Sequence, residues 1–142
     1  MKNILLLAVL IVASMQSYAQ KLMEKDVPKA TSAAFHKANP TVKDIDWKKD
    51  GANYMASYEM DHTKMFCQYS DSGKLTDHGM EIVPTALPAG VATYVKANYD
   101  NDSWKDSKKH IDANGVITYS IEAKDNVVWF DSAGDYMKSM KK

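Results

Sequence analysis

Two stretches of this chain open and close alike. Val27-Pro28-Lys29-Ala30-Thr31-Ser32-Ala33-Ala34-Phe35-His36-Lys37-Ala38-Asn39 begins with an apolar residue and a proline and ends at an asparagine. Leu87-Pro88-Ala89-Gly90-Val91-Ala92-Thr93-Tyr94-Val95-Lys96-Ala97-Asn98 does the same before Tyr99, with its proline 60 positions later. In the first, Val27, Ala30, Ala34 and Ala38 recur at three- and four-residue spacings beside Phe35, which makes one apolar stripe. The spacing predicts a helix from Val27 to Ala38. Pro28 suits its first position, where the missing N–H costs nothing. Asn39-Pro40 stops it, because proline disfavours a helical residue before it. Leu87, Val91, Tyr94 and Val95 make the second stripe.

After each stretch the period changes from helical to two. Ile45 and Trp47, then Tyr54, Ala56, Tyr58 and Met60, then Met65, Cys67 and Tyr69 alternate with polar or mixed residues. Asp50-Gly51, Asp61-His62-Thr63 and Asp71-Ser72-Gly73 mark turns between them. Leu75 to Val83 reads as a further strand. The later half follows with Trp104 to Ile111, Ile117 to Ala123, Val128 with Phe130, and Tyr136 to Met140. One apolar and one mixed face per strand is the signature of an antiparallel sheet covered on one side. The expected fold is therefore α+β: a tandem repeat of a helix followed by antiparallel strands, two-layer, with the helices packed on one face of the sheet.

The first 19 residues read as an address label. Met1-Lys2-Asn3 is a basic start, Ile4 to Ala13 is apolar, and Ser17-Tyr18-Ala19 puts small residues before a cleavage point at Gln20. That is a signal peptide at 1–19, too short to span a bilayer. Residues 20–142 form one expected domain of two units, about 24–83 and 84–142, and a chain of this size buries roughly two-thirds of its unfolded surface. A stable membrane insertion after signal cleavage is not expected. The single cysteine, Cys67, allows no internal disulfide. Basic and acidic residues balance at 18 each, and every basic residue is lysine. Without arginine or a basic stripe, nucleic acid is not an expected partner.

The residues at these elements resemble a family. Val27-Pro28 with Ala34-Phe35 and Asn39-Pro40, then Trp47, Asp50-Gly51 and Tyr58-Glu59, are similar to the PepSY-like, beta-lactamase-inhibitor-like family of exported bacterial proteins. Leu87-Pro88, Val91, Tyr99, Tyr119, Glu122 and Phe130-Asp131 with Gly134 carry the likeness in the later half. The resemblance implies a beta-lactamase-inhibitory-protein-like fold whose sheet face grips a partner, in the periplasm or secreted. No inhibitor contact residue matches a position here, so the resemblance carries over no site.

Motifs for chemistry are sparse. His36, His62, His78 and His110 are scattered and form no zinc-ligand spacing, so neither metal nor cofactor is expected. Cys67 shares the inward parity with Met65 and Tyr69 and reads as a buried, inert thiol. Asp100-Asn101-Asp102 and Asp112-Ala113-Asn114-Gly115 complete no calcium loop, and turns demand the same residues. Met55, Met60, Met65, Met137 and Met140 raise exported Cu(I) binding as an alternative. Glu59 and Glu122 lie on outward parity without a nucleophile motif.

What remains is a non-catalytic exported binding module of the inhibitor-like kind. A small-molecule or metal carrier of the cell envelope and an enzyme using the sheet face are the competing classes. Outward parity places Phe66, Gln68, Val127 and Trp129 on the face that the helices leave open. Large aromatics in a polar frame make interface anchors, so these four are the candidate residues for a protein or peptide partner.

Overall fold

A computed structural model describes residues 20–100 and 104–142. The expected signal peptide at 1–19 and Asn101, Asp102 and Ser103 lie outside the described residues. Strands β1 (Gln20–Leu22), β2 (Asp46–Asp50), β3 (Asn53–Met60), β4 (Thr63–Tyr69) and β5 (Leu75–Glu81) are followed by β6 (Trp104–Asp112), β7 (Ile117–Ala123), β8 (Asn126–Phe130) and β9 (Tyr136–Lys141). Helix α1 (Lys29–Ala38) lies between β1 and β2, and α2 (Ala89–Asn98) between β5 and β6.

These strands form one nine-stranded sheet whose spatial order is the chain order, antiparallel throughout. This corrects the expected tandem repeat of helix-plus-strand units. At the midpoint β5 pairs with β6, from Asp77 opposite Asp112 to Glu81 opposite Lys108. Two separate units would each present an unpaired edge of N–H and C=O groups there, and pairing removes both edges. Hydrophobic periodicity reports which face a strand buries, but not which edge it pairs.

Both helices sit on one face. Phe35 of α1 meets the rings of Trp47 and Tyr58 edge-on, at 5.6 Å and 5.2 Å between centroids. Val27, Ala56, Cys67 and Tyr69 complete this cluster. Under α2, Val91 and Val95 pack with Ile121, Ala123, Val128 and Phe130, while Tyr94 meets Phe130 at 5.5 Å. The strand register carries this face across the middle through Cys67, His78, Ile111 and Ile117.

Local details depart from the periodic reading. Helix α1 starts at Lys29, with Pro28 as its cap at extended ψ, rather than at Val27. The polar lead-in is partly a strand, since Gln20–Leu22 pairs with Lys49–Trp47. Met60 shares the inward parity but stands at the hairpin tip, 40% exposed. Each helix start rests on a hairpin turn. A Cβ on Gly73, whose φ is +80°, would lie 2.5 Å from the Ala30 carbonyl oxygen, so only glycine lets the Ser70–Lys74 turn approach α1. Buried Thr31 ties the same contact by donating to the Ser70 carbonyl at 2.8 Å.

Cys67 is buried with its sulfur 3.7 Å from the Tyr58 hydroxyl, and burial pushes its thiol pKa up. The same burial raises Tyr69 to about 12. Only the thiolate attacks, so burial slows the reaction both by raising the thiol's pKa and by shielding the sulfur from the reagent. In a thiol-labelling time course at pH 7.5, native Cys67 should react at least about tenfold more slowly than in urea-unfolded protein. Equal rates would show that the sulfur is accessible in the fold.

Candidate functional site

The face opposite the helices carries its own packed feature. Along one cross-strand row the register aligns Ser57, Phe66, Gly79, His110 and Thr118, and in the next row Ser120 stands between Lys108 and Trp129. Small residues thus alternate with rings. Strands two apart are roughly 9.6 Å apart across a sheet. Rings on such strands meet only by leaning over the small residue between them. The Phe66 and His110 centroids are 5.0 Å apart over Gly79, and His110 and Trp129 are 4.3 Å apart over β7. Phe66 and His110 are consequently buried, and Trp129 is half-buried.

Polar groups fix the central ring. His110 Nδ1 is 2.9 Å from Asp77 Oδ2, and its Nε2 is 2.8 Å from Ser120 Oγ. With Nδ1–H donating to the carboxylate, Nε2 accepts the serine O–H and every ring nitrogen is satisfied. The order Asp–His–Ser is that of a hydrolase triad. Here the serine residue is only 4% exposed and sits mid-strand opposite Trp129, so its oxygen is not presented to a substrate. The chain of bonds positions a ring. Among the described residues Asp77 finds no hydrogen-bond partner for its second, buried oxygen, Oδ1.

A bulge in β6 helps to set this arrangement. Between Lys105 and Lys108 the register shifts, with Asp106 at φ +51° and the Ser107 carbonyl accepting from Ile82 N–H at 2.9 Å. The inserted residue puts Lys105 opposite Glu122 and Lys108 opposite Ser120, both on the open face.

Of the four candidate residues, Phe66, Gln68 and Trp129 line one hollow of about 280 Å³, together with Asp50, Met55, Asp77, Lys108 and His110. Gln68 donates from Nε2 to Asp50 Oδ2 at 3.0 Å, which draws β2 and β4 together on this face. Val127 is on the same face but outside the hollow, half-buried between Glu122 and Met140 in register. A second hollow of about 480 Å³ shares Met55, Phe66 and Lys108 with the first and continues to Glu59, Lys64 and Glu81. Asp77 and His110 are the site residues that sequence reasoning passed over. Outward parity marks both, but 33 residues separate them and only the β5–β6 register joins them.

The competing ligand sets do not converge. Met55 and Met65 point to opposite faces by register, and Met137 and Met140 are exposed on β9. Among the described residues no group of three or more His, Cys, Asp or Glu could hold a metal ion. Among them, too, no helix is long and apolar enough to cross a membrane.

Solved structures share this architecture. A Bacteroides fragilis structure described as a BLIP-like protein superposes with a TM-score of 0.54 at 18% identity, over 79% of this chain and 84% of that one. The chain has a BLIP-like fold. A Bacteroides eggerthii protein described as periplasmic matches with a TM-score of 0.68 at 16% identity, over 81% of this chain and 88% of that one. A DUF2874 family protein from Bacteroides uniformis gives 0.67 at 15% identity, covering 80% and 88%. No family model and no curated protein matches the sequence. Identities this low establish the shared fold and nothing about activity.

Proposed function

We propose that this chain is a PepSY-like, non-catalytic exported module that grips a protein or peptide partner on its open sheet face, through Phe66, Gln68, Val127 and Trp129. The observation that carries the reading is the ring row on the face without helices. A sheet face meant only for water has no use for a Phe–His–Trp row, and large rings in a polar frame are the usual anchors of an interface. The hollow beside the row offers a place for a partner side chain. Export fits the signal-like residues 1–19, and the periplasm or the exterior fits the description of the Bacteroides eggerthii structure.

The test is capture of partner proteins from the envelope extract of the source cells by immobilised protein, with Trp129→Ala alongside. Loss of a hot-spot aromatic costs 2 kcal/mol or more, about 30-fold in affinity. Trp129→Ala should lower recovery of the specific partner by that order while its far-ultraviolet dichroism stays native. Undiminished recovery by a folded Trp129→Ala protein would end the reading.

A further inference from the structure

The sheet ends in an edge that no described residue covers. Strand β9 has β8 on one side and no strand on the other, and all six of its residues are exposed. The opposite edge, β1, has only three residues. The register of β9 shows which of its backbone groups are left free. Lys142 N–H donates to the Asp125 carbonyl at 3.0 Å, and bonded and non-bonded pairs alternate along an antiparallel ladder. Met140 opposite Val127 and Lys138 opposite Trp129 therefore also bond to β8. Ser139 and Lys141 turn their N–H and C=O groups outward, and among the described residues none bonds to these groups. Tyr136, Met137 and Met140 add exposed apolar side chains. The charge is of one sign, since Tyr136 to Lys142 holds three lysines and no acid except Asp125-side partners on β8's turn being outside it. Lys142 is paired with Glu122, while Lys138 and Lys141 have no carboxylate within ion-pair distance among the described residues.

We infer that β9 receives an acidic, extended segment of a partner protein as an added antiparallel strand. Backbone bonds to Ser139 and Lys141 supply the affinity, and the flanking side chains choose the partner. Opposite charges that face each other across strands stabilise the pair, so the segment carries acids opposite Lys138 and Lys141. With an apolar residue opposite Met140, it reads acid, apolar, any residue, acid. A second copy of the chain does not fit this edge. Setting Ser139 against its own counterpart makes the two Lys138 side chains diagonal neighbours on one face. Setting Ser139 against Lys141 puts Lys138 opposite Lys142, and setting Lys141 against itself opposes like charges directly. Edge lysines are a common guard against such self-pairing. Lys138 and Met140 share the open face with Trp129 and Val127, so an added strand would extend that face. The inference goes beyond the open-face reading, because it stands on the β9 backbone and its charges alone.

The probe is the peptide acetyl-Thr-Glu-Val-Thr-Glu-Thr-amide, titrated into ¹⁵N-labelled protein with assigned backbone amides. It should shift the Ser139 and Lys141 signals most, about threefold more tightly than the same peptide with lysine in place of both glutamates. N-methylation at its second threonine removes the N–H that meets the Ser139 carbonyl and should weaken binding about fivefold or more. Lys138→Glu/Lys141→Glu changes only exposed positions and should reverse the preference, so that the lysine peptide binds more tightly. Lys141→Glu alone, on the face away from Trp129, should weaken the glutamate peptide about threefold. No shift at β9, equal affinity for the glutamate and lysine peptides, or binding indifferent to N-methylation would overturn the inference. If partner capture depends on Trp129 but is unchanged in Lys138→Glu/Lys141→Glu, the open-face reading stands and the edge assignment falls.

Discussion

Trp47→Ala should lower the free energy of unfolding by about 3–5 kcal/mol, the range for truncating a large core aromatic. Trp47 is 1% exposed and stands on β2 beneath α1, where Phe35 meets it edge-on. Truncation empties the space between the first helix and the sheet. It also removes an edge-to-face aromatic contact, of order 1 kcal/mol beyond area burial. The indole N–H acts in the opposite direction. It is buried with no hydrogen-bond partner among the described residues, so its removal recovers part of a desolvation penalty of about 1–3 kcal/mol. The loss should therefore fall near the lower end of the range. Trp47→Phe keeps a ring under α1 and also removes the unpaired donor, so it should cost less than about 1.5 kcal/mol. Urea denaturation of both variants measures the contrast. A loss below about 1 kcal/mol for the alanine variant would mean that the Phe35–Trp47–Tyr58 cluster does not hold α1 to the sheet.

Gly79→Ala should be as damaging from a single added methyl group, at about 3 kcal/mol, the upper part of the range for overpacking. A Cβ at Gly79 would lie 1.9 Å from the Lys109 carbonyl oxygen and 2.9 Å from Phe66 Cζ. The carbonyl belongs to the neighbouring strand backbone and cannot rotate away as a side chain would. Relief requires β5 and β6 to separate, and those two strands join the halves of the sheet. The ring row over Gly79 would be displaced as well. Gly51→Ala is the control. Gly51 has φ +58°, and a Cβ there would meet nothing within 4 Å. Only the left-handed backbone opposes that substitution, at roughly 1–2 kcal/mol. Denaturant titrations should rank the two, and amide exchange should show faster opening of β5 and β6 in Gly79→Ala alone. If Gly79→Ala proves as mild as Gly51→Ala, the close approach at the midpoint is not needed for the fold.

Much of the local structure can be read from residues in sequence. Both helices follow from the sequence, but only on α2 are members of the expected stripe, Val91 and Val95, buried; on α1 the buried positions are Thr31 and Phe35, while Ala30 and Ala38 of the expected stripe are exposed. Inward Trp47, Tyr58, Cys67, Val128 and Phe130 follow from a period of two, and all five are buried. The turns follow from Gly and Asp, which tolerate the backbone that a tight reversal needs. The expected placement of Phe66 and Trp129 away from the helices used the same parity.

Three features needed the tertiary structure. β1 is too short to show a period, and only its pairing with β2 makes it a strand. The likeness between the two helix stretches suggested two units, but local likeness contains no information about edges, and the shared β5–β6 ladder makes one sheet. The Phe66–His110–Trp129 row exists because register sets Gly79 between Phe66 and His110 and brings Trp129 to the same face across β7. Periodicity along a strand determines which side a residue faces. Register across strands decides which residues meet there, and that is a property of the assembled sheet alone.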